Sequence, residues 1–225
     1  MFRRIGLTVV LVLALCAWAG TATAAPIVLK ATLTGDPRPV EPDDILIDVT
    51  ITWDPDLTPY DALWTVDLNS PLHPDAKLGS FGFNMLGLGS DYTFSGFAPA
   101  AWSISGPTFV PGTGGMEFMF VANDPALPGN DVTNSVDLVF TMTKSGSPLV
   151  SADFLAAPVS CSNDAALSCH QLAAHVQSLA GGASGAAVGD YVLDLPRPVP
   201  EPASLILFGS GLIAAASARR LRRKK

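Results

Sequence analysis

The sequence predicts a mainly β protein, an antiparallel β-sandwich or jelly-roll body with one amphipathic helix, bracketed by two apolar terminal segments. Three observations predict it: apolar residues alternate with polar ones over short runs, Gly, Pro, Asn and Asp cluster between those runs, and long unbroken apolar stretches occur only at the two ends of the 225-residue chain. The clearest run is 45–53. There Ile45, Ile47, Val49, Ile51 and Trp53 share one face, while Leu46, Asp48, Thr50 and Thr52 share the other.

The chain opens with Arg3 and Arg4, an apolar stretch from Ile5 to Ala19 and the small-residue triplet Ala22-Thr23-Ala24. This is the layout of a secretory signal peptide over residues 1–24, with Ala22 and Ala24 at the cleavage site and Ala25 opening the mature chain. Lipidation at Cys16 needs a small residue before it, and Leu15 stands there.

Residues 25–195 form the exported domain. Period-two alternation places strands at 27–34, 45–53, 62–68, 81–85, 116–122, 135–143 and 149–154, with further candidates at 92–97 and 102–109 and a terminal strand near 191–195. Asp36-Pro37, Asp54-Pro55-Asp56, Pro111-Gly112-Thr113-Gly114-Gly115 and Pro128-Gly129-Asn130-Asp131 supply the turns. Loop prolines and charges blunt edge-to-edge pairing. From Asp164 to Ala180 the apolar residues Ala166, Cys169, Leu172, Ala173, Val176 and Leu179 recur at helical spacing, with Ser162, Asn163 or Asp164 to cap the start and Gly181-Gly182 to end it. This helix either covers the sheet or meets a partner.

Once the leader is removed, Cys161 and Cys169 are the cysteines that remain. In an oxidising compartment they are expected to form a disulfide that closes a short loop; a metal or nucleophile pair of Cys169 with His170 is disfavoured because neighbouring helical residues diverge by about 100°.

Residues 25–198 hold five basic and nineteen acidic residues, a net charge of −14. Such a surface repels nucleic acid and bare polyanions, so nucleic acid is excluded as a partner. The sequence has no Gly-x-Ser-x-Gly elbow, no His-Glu-x-x-His, no phosphate loop and no Cys-x-x-Cys. A non-enzymatic protein is expected. Asp54, Asp56 and Asp61 place hard oxygen donors of the kind calcium takes around one loop, without EF-hand spacing; solvated turn carboxylates are the competing reading, and no other cofactor is expected. Trp53 and Trp64 fall on the apolar phase of their strands and belong to the core, which leaves Tyr92, Phe97 and Trp102 as candidates for stacking against a glycan.

The C-terminus has three parts. Residues 196–202 are proline-punctuated, residues 203–218 are apolar, and 219–225 carry six basic residues. Prolines at 196, 198, 200 and 202 hold an extended stalk, with Glu201 accessible. Sixteen apolar residues in a helix reach about 24 Å, a marginal membrane span, and the basic end stays cytoplasmic. On composition alone this is equally a plain C-terminal anchor behind a proline-rich spacer.

Val199-Pro200-Glu201-Pro202, the apolar helix and the Arg-rich end together resemble the PEP-CTERM sorting domain of Gram-negative surface proteins. The resemblance covers about residues 198–225. It implies recognition by an exosortase, a membrane cysteine protease or transpeptidase that cuts near Pro-Glu-Pro. It further implies export across the inner membrane, anchoring by the C-terminal helix before processing, and a final place at the cell surface or outside. Association with extracellular polysaccharide or biofilm matrix follows from the same resemblance. The expected function is a structural or adhesive matrix protein, with a carbohydrate-binding module as the alternative and a secreted hydrolase as the more distant one.

Overall fold

A computed structural model of the chain describes residues 25–34, 44–160 and 169–192, all within the compact unit Ala25–Asp194. The signal peptide, the cysteine at 161, the stalk, the apolar segment 203–218 and the basic tail lie outside the described residues. Among the described residues no helix is long and apolar enough to cross a membrane.

The strands are β1 (Ile27–Thr34), β2 (Leu46–Trp53), β3 (Asp61–Leu68), β4 (Lys77–Phe83), β5 (Tyr92–Ala98), β6 (Ser103–Ser105) and β7 (Thr108–Phe109). They continue with β8 (Glu117–Phe118), β9 (Phe120–Asn123), β10 (Val132–Thr133), β11 (Leu138–Lys144), β12 (Leu172–Gln177), β13 (Gly185–Gly189) and β14 (Tyr191–Val192). Twelve of these form one antiparallel sheet in the order β5-β11-β3-β2-β1-β13-β12-β4-β9-β6, with β10 on β4 and β14 on β1. The expected two-layer sandwich is thereby corrected. Hydrogen bonding runs unbroken from β5 round to β6, so the sheet curls onto itself as a nearly closed barrel.

Alternation explains the curl. Inward residues of facing strands meet in one core, where Trp64 stacks on Phe140 at 5.5 Å between ring centroids and lies 4.4 Å from Phe83, while Trp53 lies 5.0 Å from Phe154. Outward positions carry Asp48, Thr50, Thr52, Thr65 and Asp67, all half-buried. Between its two ends the sheet closes by side chains: Phe94 on β5 meets Phe120 on β9 edge to face at 4.8 Å, and Tyr92 meets it at 5.9 Å.

The expected amphipathic helix over 164–180 is also corrected. Residues 172–177 are strand β12, paired with both β4 and β13; Ala180–Gly182 is a 3-10 turn, and 161–168 lie outside the described residues. An i, i+4 repeat such as Leu172 and Val176 fits a helix face and, being an even spacing, fits one face of a strand as well. Ala173 points to the other face, where it is buried with Val110, Met116, Phe118 and Val121. The β7–β8 hairpin folds over this outer face, so β12 is buried on both sides at Leu172, Ala173 and Ala174 and its alternation is hidden there, while His175 is half-buried and Gln177 exposed. Gly82 on β4 permits that overlay, because a Cβ there would come within 2.5 Å of Val110 Cγ2 and 2.8 Å of Phe118 Cγ. Residues 151–154 form a 3-10 turn where a strand was expected, and strand β13, built of Gly, Ala and Val, gave no alternation to read.

Candidate functional site

The place where the barrel fails to close is a groove of about 750 Å³ between the two terminal strands of the sheet. Tyr92 and Phe94 of β5 line one wall, Ile104 and Ser105 of β6 the other, and Met119 and Phe120 the floor. The turn Gly87–Ser90 overhangs one end, with Leu88 68% exposed at the rim. Among the described residues, none that lines the groove is charged.

The backbone of both walls can be followed strand by strand. Ser145 donates to the Asp91 carbonyl, so in the β5–β11 register Thr93 and Ser95 bond to β11 while Tyr92 and Phe94 turn toward the groove. Asp124 donates to the Gly79 carbonyl, so Ala122 bonds to β4, Val121 and Asn123 bond to β6, and Ile104 turns toward the groove. The Tyr92 N–H is taken by the Gly89 carbonyl. What faces the groove is the Tyr92 carbonyl and both backbone groups of Phe94 and Ile104.

A polar corner fixes the end of β5. Lys144 Nζ donates to both carboxylate oxygens of Asp153 at 2.8 Å, and the two side chains are 12% and 5% exposed. Asp153 also accepts from the Val150 N–H at 2.9 Å, and its carbonyl accepts from Leu86 N–H at 2.8 Å. Tyr92 donates its hydroxyl to the Leu86 carbonyl. Burial first, then the Asp153 and Asp91 charges, push the Tyr92 hydroxyl up to about 12, so it stays a neutral donor over the whole physiological range.

The residues singled out for glycan stacking are not displayed together. Tyr92 is 5% exposed and offers the groove only part of its ring; Trp102 is 2% exposed, with its indole N–H on the Asn130 carbonyl at 2.8 Å. Phe97 packs inward, stacked on Phe140 at 5.5 Å. Sequence reasoning missed Ile104, Met119 and Phe120. The signal that marks the neighbourhood of Ile104 is the absence of any charged residue from Tyr92 to Met116, in a chain that is 15% charged; Met119 and Phe120 lie beyond it.

The loop carboxylates have local duties. Asp54 Oδ1 accepts from the backbone N–H groups of Asp56 and Leu57 at 2.8 and 2.9 Å, and Asp61 accepts from the Thr143 hydroxyl at 2.6 Å. Asp56 is also engaged. Among the described residues no three His, Cys, Asp or Glu side chains converge on a metal position. His170 pairs with Asp190 at 3.0 Å. His73 is buried near a second, smaller pocket of about 430 Å³ that Pro74, Asp75 and Gly181 help to line. Cys169 is not a free thiol; Cys161 lies outside the described residues, as do Ala22, Ala24, Val199, Pro200, Glu201 and Pro202.

Residues 198–223 match the family described as the PEP-CTERM protein-sorting motif. No curated protein and no solved structure matches the chain.

Proposed function

We propose that this chain, which carries a PEP-CTERM sorting motif at residues 198–223, is exported across the inner membrane, held there by its C-terminal helix and then processed by exosortase near Val199-Pro200-Glu201-Pro202. The sorting motif is the observation that carries the reading. The apolar stretch behind Arg3 and Arg4 supports it at the other end of the chain.

The barrel then works outside the cell as a non-enzymatic structural or adhesive protein of the extracellular polysaccharide matrix. Its acidic surface favours a neutral polysaccharide over an acidic one as neighbour, since a body at −14 repels polyanions. A Cys161–Cys169 disulfide suits that oxidising setting and would contribute about 2 to 3 kcal/mol in the chain-entropy model. Export and processing are tested together by replacing Pro200, Glu201 and Pro202 with Ala in the native host. The variant should accumulate at the inner membrane with its basic tail intact. Surface delivery at the parent's level would reject exosortase handling.

A further inference from the structure

We infer that the seam groove is a strand-acceptor site, built to take one extended, uncharged polypeptide segment from a partner protein between β5 and β6. Such a site goes beyond sorting and is carried by groove geometry and charge without the sorting motif, so it stands even if exosortase handling fails.

Two features of the groove point to a peptide strand. The first is the pair of backbone rails. The Tyr92 carbonyl and both backbone groups of Phe94 line one wall and both groups of Ile104 line the other, and strands hydrogen-bonded in a sheet lie about 4.8 Å apart. An extended polypeptide presents donors and acceptors to both sides at the repeat these rails require, which is how main-chain hydrogen bonds capture a strand at a sheet edge. The floor of Met119 and Phe120 takes the inward-pointing alternate side chains of such a guest.

Charge is the second. Natural edge strands are ordinarily guarded by Lys or other charged side chains. These two edges lie inside the stretch from Tyr92 to Met116, which has none, although the exported domain as a whole is strongly acidic. The acidic exterior turns away an anionic guest, and a neutral floor offers no partner to a charged side chain of either sign, so the guest is itself uncharged. Pro99 and Pro107 end the two edges, so the acceptor is short and takes one segment.

The test uses the full chain purified in detergent and reads hydrogen exchange at single backbone amides. The probe is a synthetic hexapeptide of alternating Thr and Val; alternating Asp and Val is the charged counterpart, and dextran is the neutral glycan. The amides of Phe94 and Ile104 should slow at least tenfold with the Thr-Val peptide, and neither the Asp-Val peptide nor dextran should slow them. Gly89→Leu fills the groove from its overhanging turn and leaves the groove-facing groups of both rails in place, at a position whose carbonyl holds the Tyr92 N–H and whose Cβ would have ordinary contacts with Phe120 and Met119, and it should abolish the protection. Unprotected amides at saturating Thr-Val peptide, equal protection in Gly89→Leu, or protection by dextran instead would each overturn the inference.

Discussion

At the residue scale the Lys144–Asp153 pair is the most consequential charge contact among the described residues. Both side chains are largely removed from water and the geometry is bidentate. Replacing one partner of a buried pair strands the other, which costs about 3–5 kcal/mol. Lys144→Met keeps most of the apolar stem and removes the ammonium with its hydrogen-bond donors, so the unfolding free energy from denaturant titration should fall by that amount, whereas a loss under about 1 kcal/mol would mean the pair is screened like a surface bridge. Asp67 is the opposite case. It stands directly across from Asp48 in the β2–β3 register, and burial first, then Asp137 and Asp48, raise its carboxyl above the usual 3.8. A raised carboxyl binds its proton more tightly folded than unfolded, so this position is least costly below 3.8 and destabilises the fold as pH climbs through the raised value. Asp67→Asn should therefore melt higher than the parent at pH 7, and the gap should close as the pH is brought to 3.

At the element scale, what the sequence disclosed depended on how many faces of a strand are buried. β1, β2, β3 and β11 have one face in the core and the other outward, and their alternation was plain to read in 27–34, 45–53, 62–68 and 135–143. β12 and β13 are covered on both sides, so Leu172-Ala173-Ala174 reads as a helical stripe and Gly185–Gly189 reads as nothing at all. The cover is the β7–β8 hairpin, and its seating depends on Gly82. Overpacking a site of this kind costs about 1–3 kcal/mol. Gly82→Ala should lower stability within that range in thermal denaturation and raise exchange at the amides of Thr108 and Phe118. A variant as stable as the parent would show that the hairpin is not clamped there.

At the scale of the whole molecule, address and architecture were legible to different degrees. The sorting motif needs only local order and spacing, so Val199-Pro200-Glu201-Pro202 and the flanking apolar and basic segments were readable from the chain, and the family match coincides with them. The groove depends on which two strands end up at the ends of the sheet. That follows from the long-range pairing of β12 with β4 and of β13 with β1, which no local pattern encodes. Tyr92 was found because it is aromatic and flanked by small residues. Phe120, across the seam, was hidden in ordinary strand sequence. Turn aspartates misdirect in the same way: Asp54 and Asp61 look like ligands in one dimension and serve backbone and hydroxyl donors in three.

The account as a whole rests on both ends of the chain being removed or recognised during export. The intact mass of the mature protein isolated from its native host tests that directly. The account predicts a product that begins at Ala25 and lacks the basic residues 219–225; a mass corresponding to the uncut chain from Met1 to Lys225 would contradict it.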